Sequence, residues 1–262
     1  MDKTTSTATF TFCECSENHV NNQKNGTIAE NGFTCDEIES IKDKFEKAGA
    51  VCELIDLNEM LDEDIRELSS PASILVIRKG LSFIIGDEPV DDLAETMFNL
   101  EWDKKVKSYG RVVNKKARHN LCFSKSSQVA DYEAGKGTIV AYSDIPILEK
   151  LHKKLPKWFG EKARDMECEG NLYYDWKSCY IGFHGDFERR RVIGVRLGHK
   201  FSLWYRWYLN SKKCSEVKRI VLKHGDIYVM SEKAVGTDWK KKKIYTLRHA
   251  AGTKKVIMKK ED

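Results

Sequence analysis

The sequence predicts an α+β protein: a small α/β unit over residues 1–95, then a basic unit over 96–262 whose core, from about 170 to 260, is an antiparallel sandwich or double-stranded barrel. Three observations carry that reading. The first 100 residues hold 21 acidic and 8 basic side chains, a net of −13, while residues 101–262 hold 19 and 37, a net of +18, so the overall +5 conceals two unlike parts. The acidic part alternates strand-like and helix-like runs. Beyond Pro156, six or more strand-like runs follow one another within about 90 residues, which excludes a doubly wound α/β sheet there. A hydrophobic content of 41% is enough for a real core and argues against disorder.

The elements follow in order. Thr7–Cys13 alternates as a strand does, with Phe10 and Phe12 on one face. Residues 16–34 are polar and carry the turn pairs Asn25-Gly26 and Asn31-Gly32. Thr34 or Asp36 caps a helix over 36–48, whose Ile38, Ile41 and Phe45 fall at helical spacing and whose terminator is Gly49. A strand at 51–55, an acidic helix near 58–68, a strand at 73–78 and the apolar run Leu81–Ile85 come next. An acidic helix over 87–101 joins the two parts. A helix around 144–155 ends at Pro156, and strands are expected at 170–175, 179–184, 191–198, 201–209, 217–222, 226–230, 244–249 and 255–259.

No run approaches the roughly 18–20 apolar residues that span a bilayer, and no secretory leader is evident, so a soluble intracellular protein without a membrane partner is expected. The eight cysteines lack the paired CxxC spacing of a structural zinc site. Cys13, Cys15 and His19 could hold a metal, although a CxC on a strand reads first as two small buried residues. No catalytic signature stands in residues 1–95, and no partner is assigned to them.

The chemistry-bearing motif is His184-Gly185-Asp186. Side chains two apart on a strand share a face, so one imidazole and one carboxylate can meet one ion. A second histidine from a distant strand would complete the two-His, one-carboxylate set that leaves positions open on Fe(II). His224 and His249, 38 and 63 residues beyond Asp186, are the candidates.

The ordered series Asn171-Leu172-Tyr173-Tyr174, His184-Gly185-Asp186-Phe187-Glu188, Val192–Gly198, His224–Met230 and Tyr245–Ala250 resembles the AlkB-like branch of the Fe(II)/2-oxoglutarate dioxygenases. The resemblance spans about 170–259, more weakly from Trp102, and several segments look like AlkB-related proteins of large DNA viruses. It implies a double-stranded β-helix (jelly-roll) catalytic domain, with 2-oxoglutarate and O2 as cosubstrates. The iron ligands it implies are His184, Asp186 and His249, with His224 in a structural turn. It also implies that Asn171 and Tyr173 help hold the far carboxylate of 2-oxoglutarate. The family's arginine after the distal histidine is missing here, since AAGTKKVIMKKED contains none. Lys259 is therefore expected to supply the cation, as in prolyl-hydroxylase relatives, with Lys255 and Lys260 as competitors.

Residues 102–119 mix cations and aromatics where the resembling family carries its nucleotide-recognition lid. Trp102 or Tyr109 would stack on an extruded base while Arg111 and neighbouring cations contact phosphate. Glu188 would accept a hydrogen bond from an exocyclic amine. Arg190, within Arg189-Arg190-Arg191, and the run Lys240–Lys243 would frame the iron ligands with positive charge. The expected activity is oxidative demethylation of a base in DNA or RNA, as in nucleic-acid repair. A protein hydroxylase or demethylase of the same superfamily, toward which Lys259 leans, and an inactive nucleic-acid-binding barrel stand as alternatives.

Overall fold

The structure, a computed structural model, describes residues 4–20 and 22–259. The chain opens with β1 (Thr7–Cys13) and a small hairpin of β2 (Cys15–Glu17) and β3 (Lys24–Gly26). Helix α1 (Cys35–Lys47) starts on a capping box: the Thr34 hydroxyl accepts from the Glu37 amide, and the Glu37 carboxylate accepts from the Thr34 amide. Then come β4 (Val51–Asp56), the single turn α2 (Glu63–Arg66), β5 (Ser73–Arg78), α3 (Gly80–Ile85) and α4 (Val90–Phe98). A hairpin of β6 (Lys105–Ser108) and β7 (Arg111–Asn114) leads to β8 (His119–Ser124), β9 (Ile139–Ala141) and α5 (Pro146–Phe159). The remaining strands are β10 (Glu167–Tyr173), β11 (Ile181–His184), β12 (Val192–Gly198), β13 (Phe201–Leu209), β14 (Lys212–Lys213), β15 (Lys218–Leu222) and β16 (Ile227–Met230). The turn α6 (Glu232–Val235), β17 (Tyr245–Ala251) and α7 (Lys254–Lys259) complete the chain.

Two large sheets result. One has eight strands in the order β4-β5-β16-β12-β1-β10-β8-β9, antiparallel except for the β8–β9 pair. The other has five: β11, β17, β13 and β14 in order, with β15 also on β13. Alternation along the eight-stranded sheet sends Phe10, Phe12, Leu172, Ile193, Val195 and Leu197 into one core with Ile38, Phe45, Leu93, Leu148 and Leu155 of the helices. The opposite face of the sheet meets the five-stranded one. At one end of that contact the layer is apolar, with Ile74, Val76 and Met230 against Leu203, Trp207 and Leu247. The protein is thus a mixed α+β fold, mostly strands, with helices packed on one sheet.

The charge boundary near residue 95 does not divide the sheets. β1 lies between β12 and β10, with Thr9 opposite both Arg196 and Asn171, and β5 pairs with β16. A front unit of its own would leave β1 with two bare edges, whereas in the sheet both edges are hydrogen-bonded. Acidic and basic parts therefore share one core.

Other departures are local. The acidic run near 58–68 forms two separate short turns, Asn58–Met60 and Glu63–Arg66. The segment expected as a strand at 255–259 is helix α7 instead. Thr253 begins it, its carbonyl accepting from the Val256 and Ile257 amides, and Ile257 packs with Trp204 and Ala250 on the outer face of the five-stranded sheet. No helix among the described residues is long and apolar enough to cross a membrane.

Candidate metal centre

The β11–β17 pairing sets His184 directly opposite His249, and β17 in turn sets His249 opposite Tyr205 of β13. Asp186 lies just past the end of β11, where its amide donates to the Val235 carbonyl at 3.0 Å. Gly185 is required there: a Cβ would fall 2.0 Å from the carbonyl oxygen of Gly236, itself at φ +75°. A strand register, a backbone hydrogen bond and a glycine contact together place three side chains.

Those side chains converge. Asp186 Oδ1 is 3.3 Å from His184 Nε2 and 3.6 Å from His249 Nε2, and the imidazoles are 4.5 Å apart at 59°. One donor atom from each lies within 4.8 Å of the others. His184 Nδ1 sits 2.8 Å from the Gly182 carbonyl, an acceptor, so Nδ1 carries the proton and Nε2 keeps its lone pair for a metal. Burial alone would raise the Asp186 carboxyl, but Arg189, then His249, with hydrogen bonds from both histidines, hold it well below the usual range. His249 is lowered, by burial first and then by His184. Of the two candidate distal histidines, His249 faces this centre, whereas His224 accepts a hydrogen bond from the Gly198 amide at 3.0 Å.

Behind Asp186 lies a buried charge network. The guanidinium of Arg189 meets Glu169 at 2.5 Å, Glu188 at 2.9 Å and Asp186 at 3.5 Å, with the Cys13 sulfur at 3.4 Å. One cation thus faces three carboxylates, a formal deficit of two positive charges next to three metal-type donors. A dication with two imidazole nitrogens and one carboxylate oxygen would cancel it, so the residues present fit a divalent metal.

No family model matches the chain. Over 257 residues, 98% of its length, it is 46% identical to an uncharacterized protein of Acanthamoeba polyphaga mimivirus, the whole of which is covered. The chain belongs to that protein's family.

The other sequence-derived residues divide. Asn171 and Tyr173 both face the layer between the sheets. Asn171 accepts from Arg118 and Asn120, each at 2.6 Å, and donates to Glu169 at 3.0 Å, which links it through Arg189 to Asp186. Tyr173 is buried with its ring 4.6 Å from that of Phe201. Tyr109 is fully exposed at the tip of the β6–β7 hairpin, with Arg111 exposed beside it. Glu188 is engaged by Arg189, and Arg190 by Glu232. Both line a cleft of about 960 Å³ that the three metal-type donors do not line.

Three expectations are corrected. Trp102 is a core residue, 6.1 Å from the Phe10 ring with its indole N–H on the Met97 carbonyl, so no base can stack on it. The arginine run is not a free cationic rim: Arg189 is buried in its carboxylates and Arg191 donates to the Asn31 and Lys162 carbonyls. Lys259 sits exposed on α7, which packs on the outer face of the five-stranded sheet, so it cannot reach the layer that His249 faces. Lys255 is exposed on the same helix and Lys260 lies outside the described residues.

Sequence reasoning missed Glu169, Arg196 and Tyr205, all buried in the layer between the sheets. A single polar side chain within an otherwise apolar strand, as Arg196 is in β12, was the available signal. It becomes informative only once both faces of the sheet are known to be covered.

Proposed function

We propose that the chain is an AlkB-like Fe(II)/2-oxoglutarate-dependent dioxygenase on a double-stranded β-helix core, oxidising and most simply demethylating a nucleobase in DNA or RNA. The observation that carries this reading is the convergence of half-buried His184 and Asp186 on buried His249 between two sheets. Iron held there would couple O2 and the decarboxylation of 2-oxoglutarate, to succinate and CO2, with insertion of one oxygen atom into a substrate C–H bond. An N-methyl substrate so hydroxylated would break down to formaldehyde and the free amine.

The chain's own residues supply position and dryness. The Gly182 carbonyl fixes the His184 ring, and Arg189 keeps Asp186 ionised and aimed. The buried ring of Tyr205, 6.1 Å from that of His249, keeps water from that side of the imidazole. On the substrate side, Phe187 follows Asp186 directly and is 54% exposed, with the Lys240 ammonium 4.8 Å from its ring. An exposed ring beside a cation suits a stacked base with its phosphate. With Lys259 on the outer face, the feature that leaned toward a protein hydroxylase no longer does so.

The test is an incubation of the protein with Fe(II), 2-oxoglutarate and methylated oligonucleotides, read as succinate released and mass lost from the oligonucleotide. The wild type is expected to demethylate, and His249→Ala to do neither. Succinate release that persists in both His184→Ala and His249→Ala would overturn the site.

A further inference from the structure

Arg196, near the end of β12, is 1% exposed. Its neighbours Val195 and Leu197 face the helices, so its own side chain enters the layer between the sheets. There the guanidinium lies 5.3 Å from the Phe201 ring, and its Nε and Nη1 have no acceptor. The buried cations of the described residues are Arg189, Lys233 and Arg196. Arg189 has its carboxylates and Lys233 has Asp238 at 2.7 Å. Arg196 alone of the three has no carboxylate partner.

The one carboxylate near it is committed elsewhere. Asp226 accepts from Arg78 at 2.5 Å, from the Lys79 amide at 3.0 Å and from the Lys223 amide at 2.9 Å. Burial accordingly lowers the Arg196 pKa, an effect that Tyr228, Tyr173 and Asp226 only partly oppose. An uncompensated buried charge costs several kcal/mol, which a folded chain bears only where something else repays it.

Further unpartnered polar atoms share this space. Thr9 is directly across from Arg196 on β1, and its buried hydroxyl has no hydrogen-bond partner. Tyr205, directly across from His249, likewise has a buried hydroxyl with no partner. Tyr228 stands between, folded over Gly194, where a Cβ would lie 1.9 Å from its ring, and it is electrostatic neighbour to both Arg196 and Asp186. A cation and two hydroxyls without partners thus extend from the β1–β12 pair toward the metal-type donors.

We propose that Arg196, with Thr9 and Tyr205, forms the binding site for the distal carboxylate of a short 2-oxo dicarboxylic acid whose other end reaches His184, Asp186 and His249. In the reading above, on which this rests, that acid is 2-oxoglutarate. The guanidinium offers two parallel N–H donors to a carboxylate, a fit that a lysine does not provide. The chain therefore supplies the cation from β12, ahead of the distal histidine, and not from the segment after it.

Binding is measured anaerobically by calorimetry on the Mn(II)-loaded full chain, with 2-oxoglutarate and with 2-oxobutyrate, which lacks the distal carboxylate. The wild type is expected to prefer 2-oxoglutarate by about 100-fold, in line with the loss of one charge-assisted hydrogen-bonded pair. Arg196→Met should erase that preference while Mn(II) affinity is kept and the ligand-free melting temperature is kept or raised, Arg196→Lys should restore part of it, and Lys259→Ala should leave it unchanged. An Arg196→Met protein that folds, binds Mn(II) and still prefers 2-oxoglutarate overturns the Arg196 site alone. A wild type that binds Mn(II) but shows no 2-oxoglutarate binding overturns the dioxygenase reading together with it.

Discussion

Where β1, β10 and β12 run side by side, the two faces of the eight-stranded sheet are both buried and chemically opposite. Along β1, Ala8, Phe10 and Phe12 join the helices in an apolar core, while Thr7, Thr9 and Thr11, hardly more exposed, point at the second sheet. β10 and β12 repeat the pattern, with Leu172, Val195 and Leu197 on one side and Glu169, Asn171 and Arg196 on the other. Burial measures distance from water and says nothing of purpose. Partner satisfaction separates the faces: the helix side is closed by packing, whereas the inner side keeps atoms of Thr9, Arg196, Tyr205 and His249 without hydrogen bonds. Such atoms in a folded chain call for a water, an ion or a ligand to complete them.

The largest expected effects probe what each face contributes to stability. Phe10→Ala empties a packed aromatic site between Trp102 and Phe123 and should cost about 3–5 kcal/mol. Arg189→Met should cost a similar 3–5 kcal/mol for a different reason, because it strands Glu169, Glu188 and Asp186 as buried carboxylates without their cation. Urea denaturation measures both. A near-neutral Arg189→Met would mean that the inner face is not a compensated charge network.

A smaller effect asks whether the two faces are equally dry. Cys122 faces inward and its thiol is pushed up to about 12, by burial first and Glu169 next, while Cys168 faces the helices and is raised well above the usual range, again by burial first. A thiol whose native pKa exceeds its unfolded value stabilises the fold fully below about pH 9, and this contribution is lost as pH rises toward the native pKa. The loss is about 1.4 kcal/mol per pH unit for each thiol. Between pH 9 and 10, Cys122→Ala and Cys168→Ala should each therefore flatten the alkaline fall in stability by about that amount. Flattening by Cys168→Ala alone would show water reaching the inner face.

The readable parts of the sequence were those whose meaning is local. Strand-like runs bounded by turn residues located β12, β13 and β16 within a residue or two, and the two-residue spacing of His184 and Asp186 marked the pair although Asp186 lies just past the end of its strand. His249 was within reach because it closes a strand-like run. Arg196 was not, since in Val-Ile-Gly-Val-Arg-Leu-Gly it is one polar residue in an apolar strand, and its lack of a partner depends on β1 lying beside it from the far end of the chain. The same long-range pairing hid the merger of the acidic and basic parts. Lys259 and Trp102 misled for the opposite reason: local chemistry suggested a role, and packing on the outer face and in the core removed it.

The smallest expected effects sit on adjacent residues of one strand and should differ in sign. Thr9 is 5% exposed with an unpartnered hydroxyl, so Thr9→Val removes a desolvated polar atom at nearly constant shape and should be neutral or stabilise the ligand-free protein by up to about 1 kcal/mol. Ala8 is fully buried on the other face among Phe10, Leu172 and Leu197, so Ala8→Ser places a hydroxyl where only carbon surrounds it and should cost about 1–3 kcal/mol. Chemical denaturation of the two variants is a direct test, because backbone, strand propensity and burial are shared and only the facing environment differs. If both substitutions destabilise alike, the unpartnered atoms of the inner face are satisfied in solution, and the case for a ligand beside Arg196 loses its energetic basis.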